Sequence, residues 1–190
     1  MRQFDTAIIL TALKGGCMWR SFQLKGQDGF TLVELLIVIA IAAILASLAA
    51  PSFTSLMNDT RQGSAQSQLL ADLNRARSEA IKRNARVLVC NTADGAACTA
   101  LTNWSTGWLV CFDANGDNNC DSTSATDPNP VVVRGALHSS LTLTASATPV
   151  RYNPNGTQGG GGGVTLSLAG SWDGAQTKTL AVSATGNISR

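Results

Sequence analysis

Apolar and polar positions alternate along this chain on three different scales. From Phe30 to Ala50 they scarcely alternate at all: 21 residues carry one charge, Glu34. As a helix, that run would be about 31 Å long at ~1.5 Å per residue, enough to cross the hydrocarbon core of a bilayer. Its second half is small-sided (Ala40, Ala42, Ala43, Ala46, Ser47, Ala49, Ala50), which suits close packing among helices. From Ser52 to about Ala85 apolar residues return at helical intervals. Ala65, Leu69, Leu73, Ala76 and Ala80 are separated by 4, 4, 3 and 4 positions. Arg61, Asp72, Arg75, Arg77, Glu79, Lys82 and Arg83 fall mostly on other faces. An amphipathic helix continuing the apolar one is therefore expected. Pro51 stands between them; it removes one amide donor and crowds the carbonyl of Ser47, so a kink is expected there, not a stop.

Beyond Ala85 the period shortens to that of strands. Residues 86–90, 107–112, 131–134, 141–144, 149–152, 164–168 and 179–183 are short β-rich runs, separated by turn signals at Asp94-Gly95 and Asn153-Pro154-Asn155-Gly156. Gly159 to Gly163 reads as a flexible hairpin connection, because the Lys-Ser/Thr ending of a phosphate-binding P-loop is missing. One or two antiparallel sheets packed on the helix follow. The expected fold class is α+β: a long N-terminal α-helix, transmembrane in its first half and amphipathic over 52–85, packed on a C-terminal antiparallel β domain over 86–190.

Charge orients the apolar run. Arg2, Lys14, Arg20 and Lys25 precede it, and the next basic residue is Arg61. That asymmetry places the N-terminus in the cytoplasm and everything after Pro51 outside. Residues 30–190 hold ten Lys/Arg and ten Asp/Glu, so this part is formally neutral and its overall charge gives no argument for nucleic acid. Of five cysteines, Cys17 precedes the apolar run, and Cys90, Cys98, Cys111 and Cys120 follow it on the side where disulfides persist. Cys90–Cys98 with Cys111–Cys120 is favoured, each closing a short loop after a strand. Cys90–Cys111 with Cys98–Cys120 is the competitor, since Cys90 and Cys111 could lie on adjacent strands. No metal is expected: there is no CxxC, and His138 is the only histidine.

Gly29-Phe30-Thr31-Leu32-Val33-Glu34 followed by an apolar run resembles the class III signal of type IV pilins and pseudopilins. Residues 104–117, 150–156 and 180–186 resemble strand and turn motifs of the GspH/FimT group of minor pilins. The resemblance implies that a prepilin peptidase removes residues 1–29, cutting after Gly29, and methylates the new amino group of Phe30. The apolar segment 30–51 is then retained, unlike that of a secretory signal. Met18 would give a leader of 12 residues, more usual for that family, and is the expected start. Glu34 would pair with the charged N-terminus of Phe30 on a neighbouring subunit, and Pro51 would bend the helix. The implied protein is a single-pass protein of the bacterial inner membrane with its C-terminal domain in the periplasm. It would act as a structural subunit in type IV pilus biogenesis, with other minor pilins, the major pilin, the peptidase and membrane lipid as partners and no cofactor. The alternatives are a type II secretion pseudopilin of the GspH type and a DNA-binding minor pilin acting in DNA uptake. Against DNA, the group's Gly-Arg-x-Arg motif is Gly186-Asn187-Ile188-Ser189 here, leaving Lys178 and Arg190 as the candidate phosphate contacts and Tyr152 and Trp172 as candidate stacking surfaces.

Three other constellations are weighed on their residues. Asp113, Asn115, Asp117 and Asp121 resemble a calcium loop, but Gly116 comes too early for an EF-hand register, and a turn closed by Cys111–Cys120 is favoured. His138 with Ser139 or Ser140 is sequence adjacency, not a triad, and no catalytic residues are expected. Arg75, Arg77, Lys82, Arg83 and Arg86 form a basic cluster, read as a solvated helix face, with an electrostatic contact to a neighbouring subunit as the alternative.

Overall fold

The computed structural model describes residues 29–113, 115–121 and 129–190. Residues 1–28 of the expected leader, with Cys17 and Met18, lie outside the described residues, as does the side chain of Pro51. The chain divides into two units, Met1–Ile44 and Leu45–Arg190.

One helix, α1 (Leu32–Arg83), has 52 residues and continues through Pro51. Its N-terminus is capped by Thr31, whose Oγ1 accepts the Glu34 amide at 3.2 Å. The spacing Thr31-x-x-Glu34 is that of a capping box, a start signal that was readable in the sequence. At the other end Asn84 takes φ 49°. The amide of Ala85 bonds the carbonyl of Ala80, and that of Asn84 bonds Ile81. These two bonds make a Schellman closure, with asparagine where glycine is commoner.

In the second unit, α1 meets two four-stranded antiparallel sheets. The strands are β1 (Val87–Asn91), β2 (Trp108–Phe112), β3 (Val132–Arg134), β4 (Leu141–Ala145), β5 (Val150–Tyr152), β6 (Val164–Gly170), β7 (Lys178–Val182) and β8 (Ile188–Ser189). One sheet has the order β3-β2-β1-β5, the other β4-β6-β7-β8. Seven of these strands fall where the sequence places them, to within two residues at each end. The two-residue β8 was not anticipated; it pairs Ala181 with Ser189 and Val182 with Ile188.

Burial explains the sequence patterns. In β4 and β6 the alternation is real, because Leu141, Leu143, Val164, Leu166 and Leu168 face the core and their neighbours do not. In β1 and β2 every residue is buried. Their inner faces (Val87, Val89, Trp108, Val110, Phe112) join Leu69, Leu73, Ala76 and Ala80 of α1 in the main core. Their outer faces (Leu88, Cys90, Leu109, Cys111) form a second small cluster with Cys98 and Cys120. Loop chain therefore covers the back of this sheet. Leu73 is fully buried, and truncating such a leucine typically costs about 2–5 kcal/mol.

Candidate functional site

The N-terminal end of α1 presents exposed greasy side chains. Among the described residues, fourteen of the seventeen exposed large hydrophobics lie between Phe30 and Met57. Phe30 is 80% exposed. The best 18-residue window of α1 has mean hydropathy 2.8, so it is long and apolar enough to cross a membrane. Glu34 is the acidic residue of the first turn, where the helix dipole favours an anion. No described side chain pairs with its carboxylate. Gly29, just ahead of the helix, would find nothing within 4 Å of an added Cβ. The described fold therefore sets no demand for glycine there.

On the second unit the helix is fastened to the sheets by polar groups that the apolar pattern conceals. Asp72 is buried on the core-facing side of α1, a correction to its expected place on another face. Its carboxylate accepts Arg134 Nε at 2.9 Å and Nη2 at 3.0 Å, and Trp108 Nε1 at 3.0 Å. This pairing holds the Arg134 guanidinium above its ordinary value, the hydrogen bonds to Asp72 being the main cause. Gln62, also buried, donates to the carbonyls of Leu168 and Gln176. Arg77 Nε donates to Gly156 O, Nη1 to Asn187 Oδ1 and Nη2 to Thr185 O. Sequence reasoning missed these anchors. The available signal was Asp72 itself, adjacent to Leu73 and three positions after Leu69, where a charge must be buried and so needs a partner.

The four cysteines form Cys90–Cys98 and Cys111–Cys120, with Cα separations of 5.6 and 5.5 Å. All four sulfurs lie within 4.8 Å of one another, and Cys98 Sγ is 3.7 Å from Cys120 Sγ. Paired as disulfides, they offer no thiolate to a metal. In the acidic turn the carboxylates bind their own loop. Asp113 accepts the amides of Gly116 and Asn118 and pairs with Arg86 at 3.4 Å. Asp117 accepts the Asn119 amide, which lowers its carboxyl below the usual value.

The basic cluster is largely engaged within the fold. Arg77 holds two turns, Arg83 pairs with Glu79 at 3.1 Å and lies over the Phe112 ring, and Arg86 meets Asp113. Lys178 opens β7, with its Nζ 3.6 Å from where a Cβ on Gly63 would stand. Arg190 follows Ser189, whose strand partner is Ala181. Tyr152 is fully buried, so its ring has no face to offer a base; Trp172 is partly buried against the core. His138 Nδ1 contacts Ser140 Oγ at 2.8 Å, and its Nε2 lies 3.3 Å from Arg61 Nη1. A guanidinium can only donate, so Nε2 is the acceptor and the ring is held by a cation, not oriented by a carboxylate. Alongside lies a cleft of about 430 Å³, floored by Ala65, Leu137 and Leu141 and edged by Arg61 and His138.

The family described as type II transport protein GspH matches residues 65–186, and the prokaryotic N-terminal methylation motif matches residues 24–50. Two curated proteins of Dichelobacter nodosus, each named a fimbrial protein, are 34% identical over 104 residues, which is 54% of this chain and 62% of theirs. The match thus spans less than two thirds of those relatives. Among solved structures, the type IV minor pilin FimU of Pseudomonas aeruginosa PAO1 superposes with a TM-score of 0.51 at 19% identity. That likeness, over 70% of this chain and 90% of the other, is one of fold.

Proposed function

This chain belongs to the GspH family, and from that membership we propose that it is a pilin-like structural subunit, held first in a membrane and then in a filament. The observation that carries this reading is the apolar end of α1, exposed from Phe30 onward and coinciding with the N-terminal methylation motif. A helix that is hydrophobic all round is stable only in lipid or among other helices. A prepilin peptidase acting after Gly29 would leave Phe30 as the methylated first residue, with the rod intact. Freedom from any structural demand at Gly29 supports a glycine chosen for recognition.

In the filament, Glu34 meets the ammonium of Phe30 on a neighbouring subunit. The pair is favourable because the dry alternative is an unpaired buried carboxylate. Other minor pilins and the major pilin are the partners, and the second unit faces the periplasm from the inner membrane. The fimbrial name of the curated relatives favours a type IV pilus, while the family's own description keeps a secretion pseudopilus as the second reading. A DNA-receptor role is disfavoured, since Tyr152 is buried and Arg77 and Arg86 are occupied within the fold. Membership of a pilin-like family points to a structural role and not to catalysis.

Mass spectrometry of the protein from cells tests this directly. The expected first residue is N-methylated Phe30; a first residue beyond Ala50 would overturn the reading. Identifying the subunits that co-purify after cross-linking separates pilus from secretion pseudopilus.

A further inference from the structure

A second cavity, of about 190 Å³, lies where β5 approaches the glycine run, lined by Thr148, Arg151, Gln158 and the backbone of Gly159 and Gly160 among others. Three of these side chains each carry a buried polar atom with no hydrogen-bond partner: Thr148 Oγ1, Arg151 Nε and Gln158 Oε1. Gln158 is only 7% exposed. Its main-chain N–H donates a hydrogen bond to the carbonyl of Ala184 at 3.0 Å. Arg151 is steadied by Nη1 donating to Asn118 Oδ1 at 3.0 Å. The glycine is what keeps the space open: a Cβ on Gly160 would come within 3.3 Å of Gln158 Nε2 and 3.5 Å of Arg151 Nη2.

Each unmet buried polar atom costs roughly 1–3 kcal/mol, so three around one cavity point to an occupant that meets them. The space is several times that of a single water. Arg151 is the one charged residue lining it, and no described carboxylate pairs with that guanidinium. An anion is the occupant that meets both the unpaired Nε–H and the charge of this guanidinium. The unmet set holds two donors, Arg151 Nε–H and the Thr148 hydroxyl, and one acceptor, Gln158 Oε1. A protonated tetrahedral oxyanion matches it: its oxygens accept from the first two while its own O–H donates to the third. Sulfate and carboxylates carry no such proton near neutral pH.

We propose that Thr148, Arg151, Gln158 and the glycine run form a binding site for a phosphate group. The glycine run lacks the lysine of a P-loop; here the cation, Arg151, comes from β5 instead. The proposal does not depend on the pilin reading.

The test is calorimetric titration of the full chain in detergent micelles, at constant ionic strength and neutral pH, with inorganic phosphate, sulfate and glycerol phosphate. Saturable one-to-one binding of a phosphate compound is expected, with sulfate weaker by about tenfold or more. Tighter binding of glycerol phosphate assigns the site to a phosphate monoester; tighter binding of the free ion assigns it to inorganic phosphate. Thr148→Val removes one donor, and Gln158→Glu sets a carboxylate against the anion. Each should weaken binding by about tenfold or more, with the circular dichroism spectrum unchanged. No saturable heat, sulfate bound as tightly as phosphate, or a folded Thr148→Val variant that binds like the parent would overturn the proposal.

Discussion

Arg134, at the end of β3, grips both carboxylate oxygens of Asp72, in the C-terminal third of α1, through parallel hydrogen bonds of 2.9 and 3.0 Å. The two ends of this pair are unequally wet: the Asp72 side chain is 3% exposed and that of Arg134 is 41% exposed. Removing one partner therefore has different consequences at each end. Arg134→Ala strands a buried carboxylate with only the Trp108 indole for company, and should cost about 3–5 kcal/mol. Asp72→Ala frees a guanidinium that water can reach and orphans one indole N–H, and should cost about 1–3 kcal/mol. Replacing both by leucine should recover most of the loss caused by Arg134→Ala, the unpaired Trp108 indole N–H being what remains. Urea unfolding followed by tryptophan fluorescence measures all three; equal losses for the two single variants would contradict the asymmetry.

Two glycines should respond oppositely to alanine. At Gly186, φ is +80°, and an added Cβ would stand 2.1 Å from the carbonyl oxygen of Gly156. That clash also pushes apart the two turns that Arg77 holds together. Gly186→Ala should lower stability by at least ~1–3 kcal/mol. Gly29→Ala should leave unfolding unchanged, because an added Cβ there meets nothing. It should instead abolish the shift in mass that accompanies leader removal. Normal maturation of Gly29→Ala would defeat the proposed cleavage site.

The helix and the strands were legible because apolar spacing reports them directly. Ala65, Leu69, Leu73, Ala76 and Ala80 are all buried, as their spacing implies. The fastening of one element to another was not legible. Arg134 lies 62 residues from Asp72 and Asn187 lies 110 from Arg77, and no local pattern reports a contact over that range. Exposed cations and engaged cations also read alike in a sequence, so Arg77 and Arg86 looked like members of a solvated face. The apolar end of α1 was the clearest part of all, since a run of 21 residues with one charge admits few environments. The phosphate-sized cavity was invisible: its polar groups are spread over eleven residues, from Thr148 to Gln158, and the turn after β5 brings Gln158 back beside Tyr152.

Tyr152 is fully buried, and its hydroxyl has no partner among the described residues. Burial raises its phenol well above the ordinary value of 10.0. A raised folded value means that the neutral phenol's contribution is complete below pH 10.0 and is lost as pH climbs from there toward the folded value. Alkaline unfolding should thus steepen above about pH 10 in the parent. Tyr152→Phe removes both the orphaned hydroxyl and the titration. It should be neutral or stabilising by up to ~1–2 kcal/mol at neutral pH and should flatten the alkaline limb. Thermal melts from neutral to alkaline pH read both effects, and a destabilised phenylalanine variant would show that the hydroxyl has a partner after all.

Glu34 is the case where removing a charge should help one state and harm another. A carboxylate in an apolar span costs ~2–3 kcal/mol on insertion, moderated at this position by the helix dipole and the nearby interface. Glu34→Leu should therefore insert at least as well as the parent. The helix start should also survive, because the Thr31 cap uses the Glu34 amide and not its side chain. In the proposed filament the balance should reverse: without the carboxylate, the Phe30 ammonium of the neighbouring subunit would be left unpaired among apolar side chains, and a buried lone charge costs about 3–5 kcal/mol. Cells carrying Glu34→Leu should hold normal amounts of protein in the inner membrane and at least tenfold less in sheared filaments, the factor that ~1.4 kcal/mol corresponds to. Quantitative immunoblots of the two fractions make the comparison. Equal incorporation of the leucine variant would mean that the carboxylate is not part of the subunit contact, and that the apolar rod alone directs assembly.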